Sequence, residues 1–261
     1  MDNTNRFDVI VVGAGFAGMY ALYKLRKLGF NVQVYEAGSG VGGTWFWNRY
    51  PGARCDVNSL EYSYQFSDEL QQEWNWSERY SGQPEILEYA NHVADRFELA
   101  KDIQFNTRVL ALDYNEDTNR WSGKTDQGDH FDTQFCVMAT GCLSKHNVPN
   151  IEGLDRFRGE LLHTGKWPHS PVDFKGKSVG VIGTGSSGIQ SIPIIAEQAS
   201  SLTVFQRTPN FSIPAHNGPM DKNHEAEVKR NYDEFRKENA LQRAAIRMTP
   251  NPESALEVSQ I

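Results

Sequence analysis

Two glycine-rich stretches carry the chemistry that can be read first. Gly13-Ala14-Gly15-Phe16-Ala17-Gly18 is a full G-x-G-x-x-G, and Gly183-Thr184-Gly185-Ser186-Ser187-Gly188 is a second. In such a turn the first glycine permits a tight bend and the second lets backbone approach a pyrophosphate, while the third allows close helix–strand packing. The phosphates then meet the N–H groups and the positive dipole end of the helix that follows. The residues downstream tell the two turns apart. Glu36 falls eighteen positions after Gly18, and a carboxylate there accepts hydrogen bonds from ribose hydroxyls, as FAD or NAD would offer. The same count from Gly188 reaches Gln206, followed by Arg207 and Thr208. An adenosine 2′-phosphate is dianionic, so a carboxylate would repel it and a guanidinium can clamp it. The first turn is therefore expected to take a cofactor with a free ribose hydroxyl, and the second NADP.

Each turn needs a strand before it and a helix after it, and the sequence supplies both. The apolar run Phe7–Val12 predicts a strand buried on both faces, as in a parallel sheet. Met19, Leu22, Tyr23, Leu25 and Arg26 follow at helical spacing, and Gly29 marks the stop. Val32–Glu36 reads as the next strand. Further on, Gln104–Tyr114 and Arg120–Thr125 read as antiparallel strands around an Asn/Asp-rich turn, and Phe135–Ala139 as another buried strand. The pattern restarts with a strand at Ser178–Ile182, a helix from Ile189 to Gln198 and a strand at Leu202–Gln206. From about Met220 the chain is charge-laced, with Val228, Tyr232 and Phe235 on one face, which predicts a solvated helix. The fold class expected is α/β with two Rossmann-like dinucleotide-binding domains, residues 1–148 and 149–219. Residues 220–261 would open a helical insertion, and the chain is expected to be truncated before the first domain is completed.

Composition narrows the function classes. The chain has 261 residues, enough to build a sizeable core without a metal or disulfide staple. Hydrophobic residues make up 39% and charged residues 23%, ordinary for a soluble globular protein. The formal net charge of −7 argues against a nucleic-acid surface and against an anionic membrane patch. The uncharged stretch Val9 to Tyr23 is shorter than the roughly 20 apolar residues of a membrane span. Asp2, Arg6 and Asp8 do not make the basic start of a signal peptide. Cys55, Cys136 and Cys142 form no C-x-x-C pair, which excludes a dithiol redox enzyme and a clustered zinc site and suggests a reducing, cytoplasmic compartment. Two nucleotide modules without a dithiol point to a flavoenzyme that accepts a hydride from NADPH. Oxygen is then the natural electron acceptor.

Between the two modules lies FRGELLHTGKWP, Phe157 to Pro168. It resembles the F-x-G-x-x-x-H-x-x-x-W-P fingerprint of Baeyer–Villiger monooxygenases, matching at Phe157, Gly159, His163, Trp167 and Pro168. The stretch GGTWFWNRYPGARCD, Gly42 to Asp56, is similar to a flavin-contacting segment of that family, and the similarity extends through FQRTP to the region of SALEVS. Family members are about twice this length, so the resemblance covers an N-terminal half. It implies FAD along Thr44, Trp45 and Trp47, with Asp56, Tyr62 and the backbone of Val109 also holding it. Arg54, Cys55 and Asp56 would lie where nicotinamide and flavin meet. Thr184, Gly185, Ser186, Ser187, Gly188, Ile189 and Gln190 would cradle the NADP phosphates, with Arg207 and Thr208 on the 2′-phosphate. His163 would couple NADP binding to domain movement rather than touch substrate. Asp56 would pair with an arginine located beyond Ile261. The implied activity is oxidation of a ketone to an ester or lactone with NADPH and O2. An N- or S-oxygenating flavin monooxygenase, or a non-catalytic FAD- and NADP-binding fragment, are the alternatives.

Overall fold

The structure, a computed structural model, describes residues 5–247. The SALEVS stretch lies outside the described residues. The first half runs β1 (Asn5–Val12), α1 (Phe16–Lys27), β2 (Val32–Tyr35), α2 (Thr44–Trp47), α3 (Asp68–Glu73) and α4 (Gln83–Arg96). It continues through β3 (Ile103–Gln104), β4 (Val109–Asn115), β5 (Arg120–Thr125) and β6 (His130–Met138). Then follow β7 (Ser178–Ile182), α5 (Ser186–Ala196), β8 (Ser201–Phe205), α6 (Lys222–Arg230) and α7 (Tyr232–Leu241). These elements form two compact units, one running through Arg54 and joined by Gly82–Ser212, the other Cys55–Ser81 with the chain from Ile213.

The first unit holds both sheets. A six-stranded sheet has the order β3-β2-β1-β6-β5-β4, and a separate pair joins β7 to β8. β1 pairs in parallel with β2 and with β6, so it is central, which is why Val9, Ile10 and Val11 form an unbroken apolar run and are buried. The core of this sheet gathers Ile10, Tyr35 and Phe131, with Tyr35 and Phe131 stacked at 5.1 Å between ring centroids. Burial pushes the Tyr35 phenol up to about 12. β7 and β8 are parallel, in register from Ser178↔Ser201 to Ile182↔Phe205, as a strand–turn–helix–strand unit requires.

Three expectations need correction. The single strand expected at Gln104–Tyr114 is two. Asn106 takes positive φ (53°), its N–H bonds to Gly38 O, and Thr107 N–H bonds to Glu36 O, so the chain leaves the parallel edge at β3 and restarts antiparallel at β4. The strand expected at Phe135–Ala139 exists within β6 but is not buried there, since Phe135 and Met138 are 50% and 60% exposed. Only its earlier residues Phe131 and Thr133 enter the core. The charge-laced tail is two helices rather than one solvated helix, broken at Asn231 (φ −127°, ψ 31°).

Those helices belong to the second unit and bury their apolar face in it. Val228, Tyr232 and Phe235 are buried. Two of the cations on the same helices reach across the packed face rather than into solvent. Lys229 Nζ donates to the carbonyls of Gln72 and Trp74, and Arg236 donates to Glu61 O, Gln71 Oε1 and Ser63 Oγ. A long cationic side chain that caps carbonyls across a packed face leaves no sign in a charge count. Among the described residues no helix is long and apolar enough to cross a membrane, and no cluster of His, Cys, Asp or Glu could hold a metal ion.

The Phe131 ring lies across the backbone of Gly123, its direct cross-strand partner, where an added Cβ would fall 2.1 Å from the ring. Phe131 is 1% exposed and stacked on Tyr35, so it has nowhere to retreat. Gly123→Ala is expected to destabilise by about 1–3 kcal/mol through overpacking. Thermal melting monitored by circular dichroism checks this, and an unchanged midpoint would show that Phe131 does not lock the sheet.

Candidate functional site

The first glycine turn connects β1 to α1 and is fixed from three sides. Gly13 has φ 104°, and a Cβ on it would lie 2.6 Å from the Ala139 carbonyl oxygen, so the turn excludes side chains by both conformation and space. A Cβ on Gly18 would lie 1.8 Å from the Gly13 oxygen, which puts the helix directly against its own turn. Gly15 is the N-cap of α1, and no side chain caps the helix. The start of α2 is seated on this turn. Gly42 N–H donates to Ala14 O (3.1 Å), and the ideal Cβ of Gly43 would approach Gly15 Cα to 2.8 Å. Thr44, Trp45 and Trp47 are thus brought beside Gly13–Gly18 by a glycine-to-glycine contact. Trp45 is buried and Trp47 is exposed.

Glu36 is 5% exposed and holds the turn from the end of β2. Its Oε2 accepts the Ala14 N–H at 2.6 Å, and its Oε1 accepts the Gly38 N–H at 2.7 Å. An ionised carboxylate offers about four lone-pair positions, so two remain for other donors. Ribose hydroxyls are donors of that kind. Phe16 and Ala17 open α1, where Phe16 packs edge-on against Tyr89 of α4. Val109 begins β4, half-buried, next to the bulge between Val109 and Ala111.

The second turn repeats the bend with a different lining. Gly183 has φ 100°, and a Cβ on Gly188 would fall 2.6 Å from the Gly183 oxygen, the same helix-on-turn approach. Gly185 differs. Its φ is −70° and nothing lies within 4 Å of where a Cβ would stand, so neither backbone nor packing requires glycine. It is the N-cap of α5, again without a side-chain cap. An open space at a helix N-terminus is a cradle that fits a phosphate. In place of a carboxylate, Gln206 Nε2 donates to Thr184 Oγ1 (2.8 Å), as does Asn210 Nδ2 (3.3 Å). Arg207 and Thr208 are exposed beside them. Ser187 O and Gly188 O accept from Ser191 Oγ. Ser186 and Ile189 are exposed on α5, whereas the Gln190 side chain turns away to Tyr50 and Arg54.

The fingerprint segment is tied down at His163. Gly165 N–H donates to His163 Nδ1 (3.0 Å), which fixes Nδ1 as the acceptor and places the proton on Nε2. Nε2 lies 3.1 Å from Asn147 O and donates to it. His146 packs against the same ring at 5.3 Å. The Phe157 ring covers Gly159, where a Cβ would meet it at 2.6 Å. One residue beyond the fingerprint, His169 sits edge-on to Phe46 (5.1 Å) and Trp47 (5.9 Å), with Arg49 over Phe46. Desolvation, then the Arg49 charge, hold the His169 imidazole below its usual value. His169 joins the linker to the α2 segment, and sequence reasoning missed it because no spacing rule marks a lone histidine.

Arg54 closes the first unit, and Cys55, Asp56 and Tyr62 belong to the second. Cys55 is buried, its Sγ accepts the Val57 N–H, and burial pushes the thiol up to about 11, so it is inert rather than nucleophilic at neutral pH. Asp56 is exposed, and Tyr62 N–H donates to Asn58 O. Cys55, Cys136 and Cys142 are all free thiols.

Comparison with known proteins agrees with this geometry. The family model described as pyridine nucleotide-disulphide oxidoreductase matches residues 7–245. A Baeyer-Villiger monooxygenase of Pseudooceanicola batsensis is 49% identical over 228 residues, which is 87% of this chain and 42% of that protein. Phenazine N-monooxygenase PhzNO1 of Lysobacter antibioticus is 43% identical over 260 residues, 99% of this chain and 48% of its own length. A solved structure of oxidized steroid monooxygenase bound to NADP superposes with a TM-score of 0.91 at 58% identity, covering 98% of this chain and 49% of that one. The chain spans about half the length of the relatives it matches. The α/β fold described above is the one that the steroid monooxygenase structure shares over nearly all of this chain. The chain belongs to the pyridine nucleotide-disulphide oxidoreductase family, and within it is similar to Baeyer–Villiger monooxygenases.

Proposed function

We propose that the chain binds FAD at the first turn and NADP at the second, as part of a flavoprotein monooxygenase that converts ketones to esters or lactones with NADPH and O2. The observation that carries this reading is the contrast eighteen residues after each turn. At the first, a buried carboxylate with lone pairs to spare faces the loop; at the second, an amide, an exposed guanidinium and an exposed hydroxyl stand in its place. The similarity to ketone-oxidising relatives supports the reaction class, and the free, dispersed thiols argue against disulfide chemistry. In this reading residues 1–148 serve FAD and 149–219 serve NADP, with Phe157–Pro168 between them and 220–261 as a helical insertion. That is a division by ligand, distinct from the division into compact units. Substrate is a small-molecule ketone, with no nucleic acid or membrane partner, and dispersed thiols suit a cytoplasmic setting.

FAD, when bound, supplies the redox chemistry by taking a hydride from NADPH and passing electrons to O2. The chain's own residues hold and orient. Gly13–Gly18 present the α1 N-terminus to a pyrophosphate, and Glu36 takes ribose hydroxyls. Thr44, Trp45 and Trp47 wall the site and exclude water, with Val109 completing the flavin contacts within the same unit. By the family resemblance Arg54, Cys55 and Asp56 belong where nicotinamide and flavin meet, with Asp56 as the carboxylate that orients a partnering arginine. Thr184–Ile189 serve the NADP phosphates, and Arg207 and Thr208 its 2′-phosphate. His163, held as the Nε2–H tautomer, couples the linker to the 146–147 segment.

The 43% identity to a phenazine N-monooxygenase favours one second reading, oxygenation at nitrogen. Incubation with NADPH and either cyclohexanone or a phenazine separates the two. Lactone formed in step with NADPH consumption supports the ketone reading; N-oxide without lactone overturns it.

Three further outcomes are expected. Arg207→Ala weakens NADP+ by about 1.5–3 kcal/mol, the worth of a hydrogen bond to a charged group, and leaves NAD+ unchanged. Calorimetric titration checks this, and equal loss for both nucleotides removes Arg207 from the 2′-phosphate. Gly185→Ala leaves the melting temperature within about one degree, because its site is open and its φ ordinary, yet lowers NADP+ affinity several-fold. Retained affinity would show that no phosphate reaches Gly185. Glu36→Gln opposes an amide NH2 to either the Ala14 or the Gly38 N–H, so the FAD-free chain should lose about 1–3 kcal/mol and FAD retention should fall with it. Stoichiometric FAD after dialysis would mean that Glu36 does not anchor the ribose.

A further inference from the structure

Gln190 ends the segment expected to cradle NADP phosphates, yet its amide is committed elsewhere. Tyr50 Oη donates to Gln190 Oε1 at 2.9 Å, and the Arg54 N–H donates to the same oxygen at 3.3 Å. In return Gln190 Nε2 donates to Arg54 O at 3.1 Å. A glutamine that bonds both the N–H and the C=O of one residue grips that residue's backbone as a strand partner would. The contact is tightened from below by Gly52. Its φ is +77°, and a Cβ there would lie 2.2 Å from Gln190 O and 3.1 Å from Ile194 Cγ1. The obstacle is helix backbone, which cannot yield as a side-chain tip would. Only glycine allows the loop this close.

We infer that Gln190 is a positioning residue for the nicotinamide half of NADP: helix α5, through Gln190 and the Gly52 contact, fixes the Tyr50–Arg54 loop and thereby sets where Arg54 stands. The inference rests on the reading of the second turn as an NADP site and adds a second duty to the helix that carries it. The N-terminus of α5 meets the phosphates, and one turn later the same helix grips the loop expected at the nicotinamide. The two ends of the dinucleotide are then registered by one rigid element. Loss of the grip should leave the adenosine end untouched and loosen the other.

The test compares NADP+ with 2′,5′-ADP, which has the adenosine and 2′-phosphate but no nicotinamide, and reads amide hydrogen exchange in parallel. Gln190→Leu is expected to weaken NADP+ about tenfold, the equivalent of one or two ordinary hydrogen bonds, and to leave 2′,5′-ADP within about twofold. Exchange at residues 50–54 should accelerate while that of β1 does not. Gly52→Ala, which alters no residue expected to touch NADP, should give the same change in the affinity ratio. Gln190→Glu keeps the Oε1 acceptor and loses the Nε2 donor, so it should fall between wild type and Gln190→Leu. Equal loss of both ligands in these variants would overturn the inference, because Gln190 would then act at the phosphates or on the fold as a whole. Faster exchange with an unchanged affinity ratio would overturn it and leave the NADP reading intact. A wild-type chain that binds neither ligand would overturn the NADP reading, and the inference with it.

Discussion

The buried carboxylate of Glu36 is the interaction on which the first site depends. Removing an ion from water costs several kcal/mol, and the cost is offset only where hydrogen bonds replace the lost hydration. Two backbone N–H groups do this, one from the glycine turn and one from the loop after β2. Each is a charge-assisted bond worth about 1.5–3 kcal/mol. The same bonds stop the turn from drifting off the sheet, so the geometry presented to a pyrophosphate and the acceptor presented to a ribose are set by one side chain. Ligand recognition and local stability are therefore not separable at this residue, which is why its substitution is best followed in the ligand-free chain as well.

The second turn achieves a similar bend without a buried charge. Gln206 and Asn210 brace Thr184 through neutral hydrogen bonds, and the cation beside them is exposed. Neutral bracing is the weaker solution, about 0.5–1.5 kcal/mol per bond. It is also the one compatible with a dianion nearby, since a carboxylate at this position would repel the 2′-phosphate that the guanidinium attracts. The two turns thus differ in how they are held for the same reason that they differ in what they select. Gly185, which the fold does not require to be glycine, marks the same adaptation at the helix end.

Much of this was legible in sequence, and what was not has a physical cause. β1, α1, β2, β7, α5 and β8 follow from apolar runs and glycine turns because each is a local pattern at a fixed period. The break at Asn106 was hidden, because backbone N–H groups bonding to Gly38 and Glu36 redirect a chain whose side chains still alternate. The burial of Val228, Tyr232 and Phe235 was also hidden, since it depends on residues 55–81 that no local pattern connects to them. At the site, the glycines and Glu36 could be named from spacing. Gly43, Gly52 and His169 could not, because each acts by contact with a residue far away in sequence. Gln190 illustrates the limit most clearly: its motif predicts a phosphate neighbour, whereas its side chain is aimed at Arg54.

The segment Gly42–Arg54 gathers these long-range contacts into one constraint. At its start, the Gly43–Gly15 approach and the Gly42 N–H to Ala14 O bond fasten it to the first turn. At its end, Gly52 and Arg54 fasten it to α5, directly after the second turn. Between these ends α2 is a single turn of helix, with Phe46 and Trp47 further pinned by His169 from the linker. A span of thirteen residues held at both ends has little freedom to change length. The strap thus joins the first turn to the helix that follows the second, a connection the two sheets do not make, since they share no strand. Hydride transfer between two bound dinucleotides demands a fixed approach of their reactive rings, and misplacement by about 1 Å can cost a hundredfold in rate. Both fastenings use glycine because only a missing side chain lets backbone approach backbone this closely.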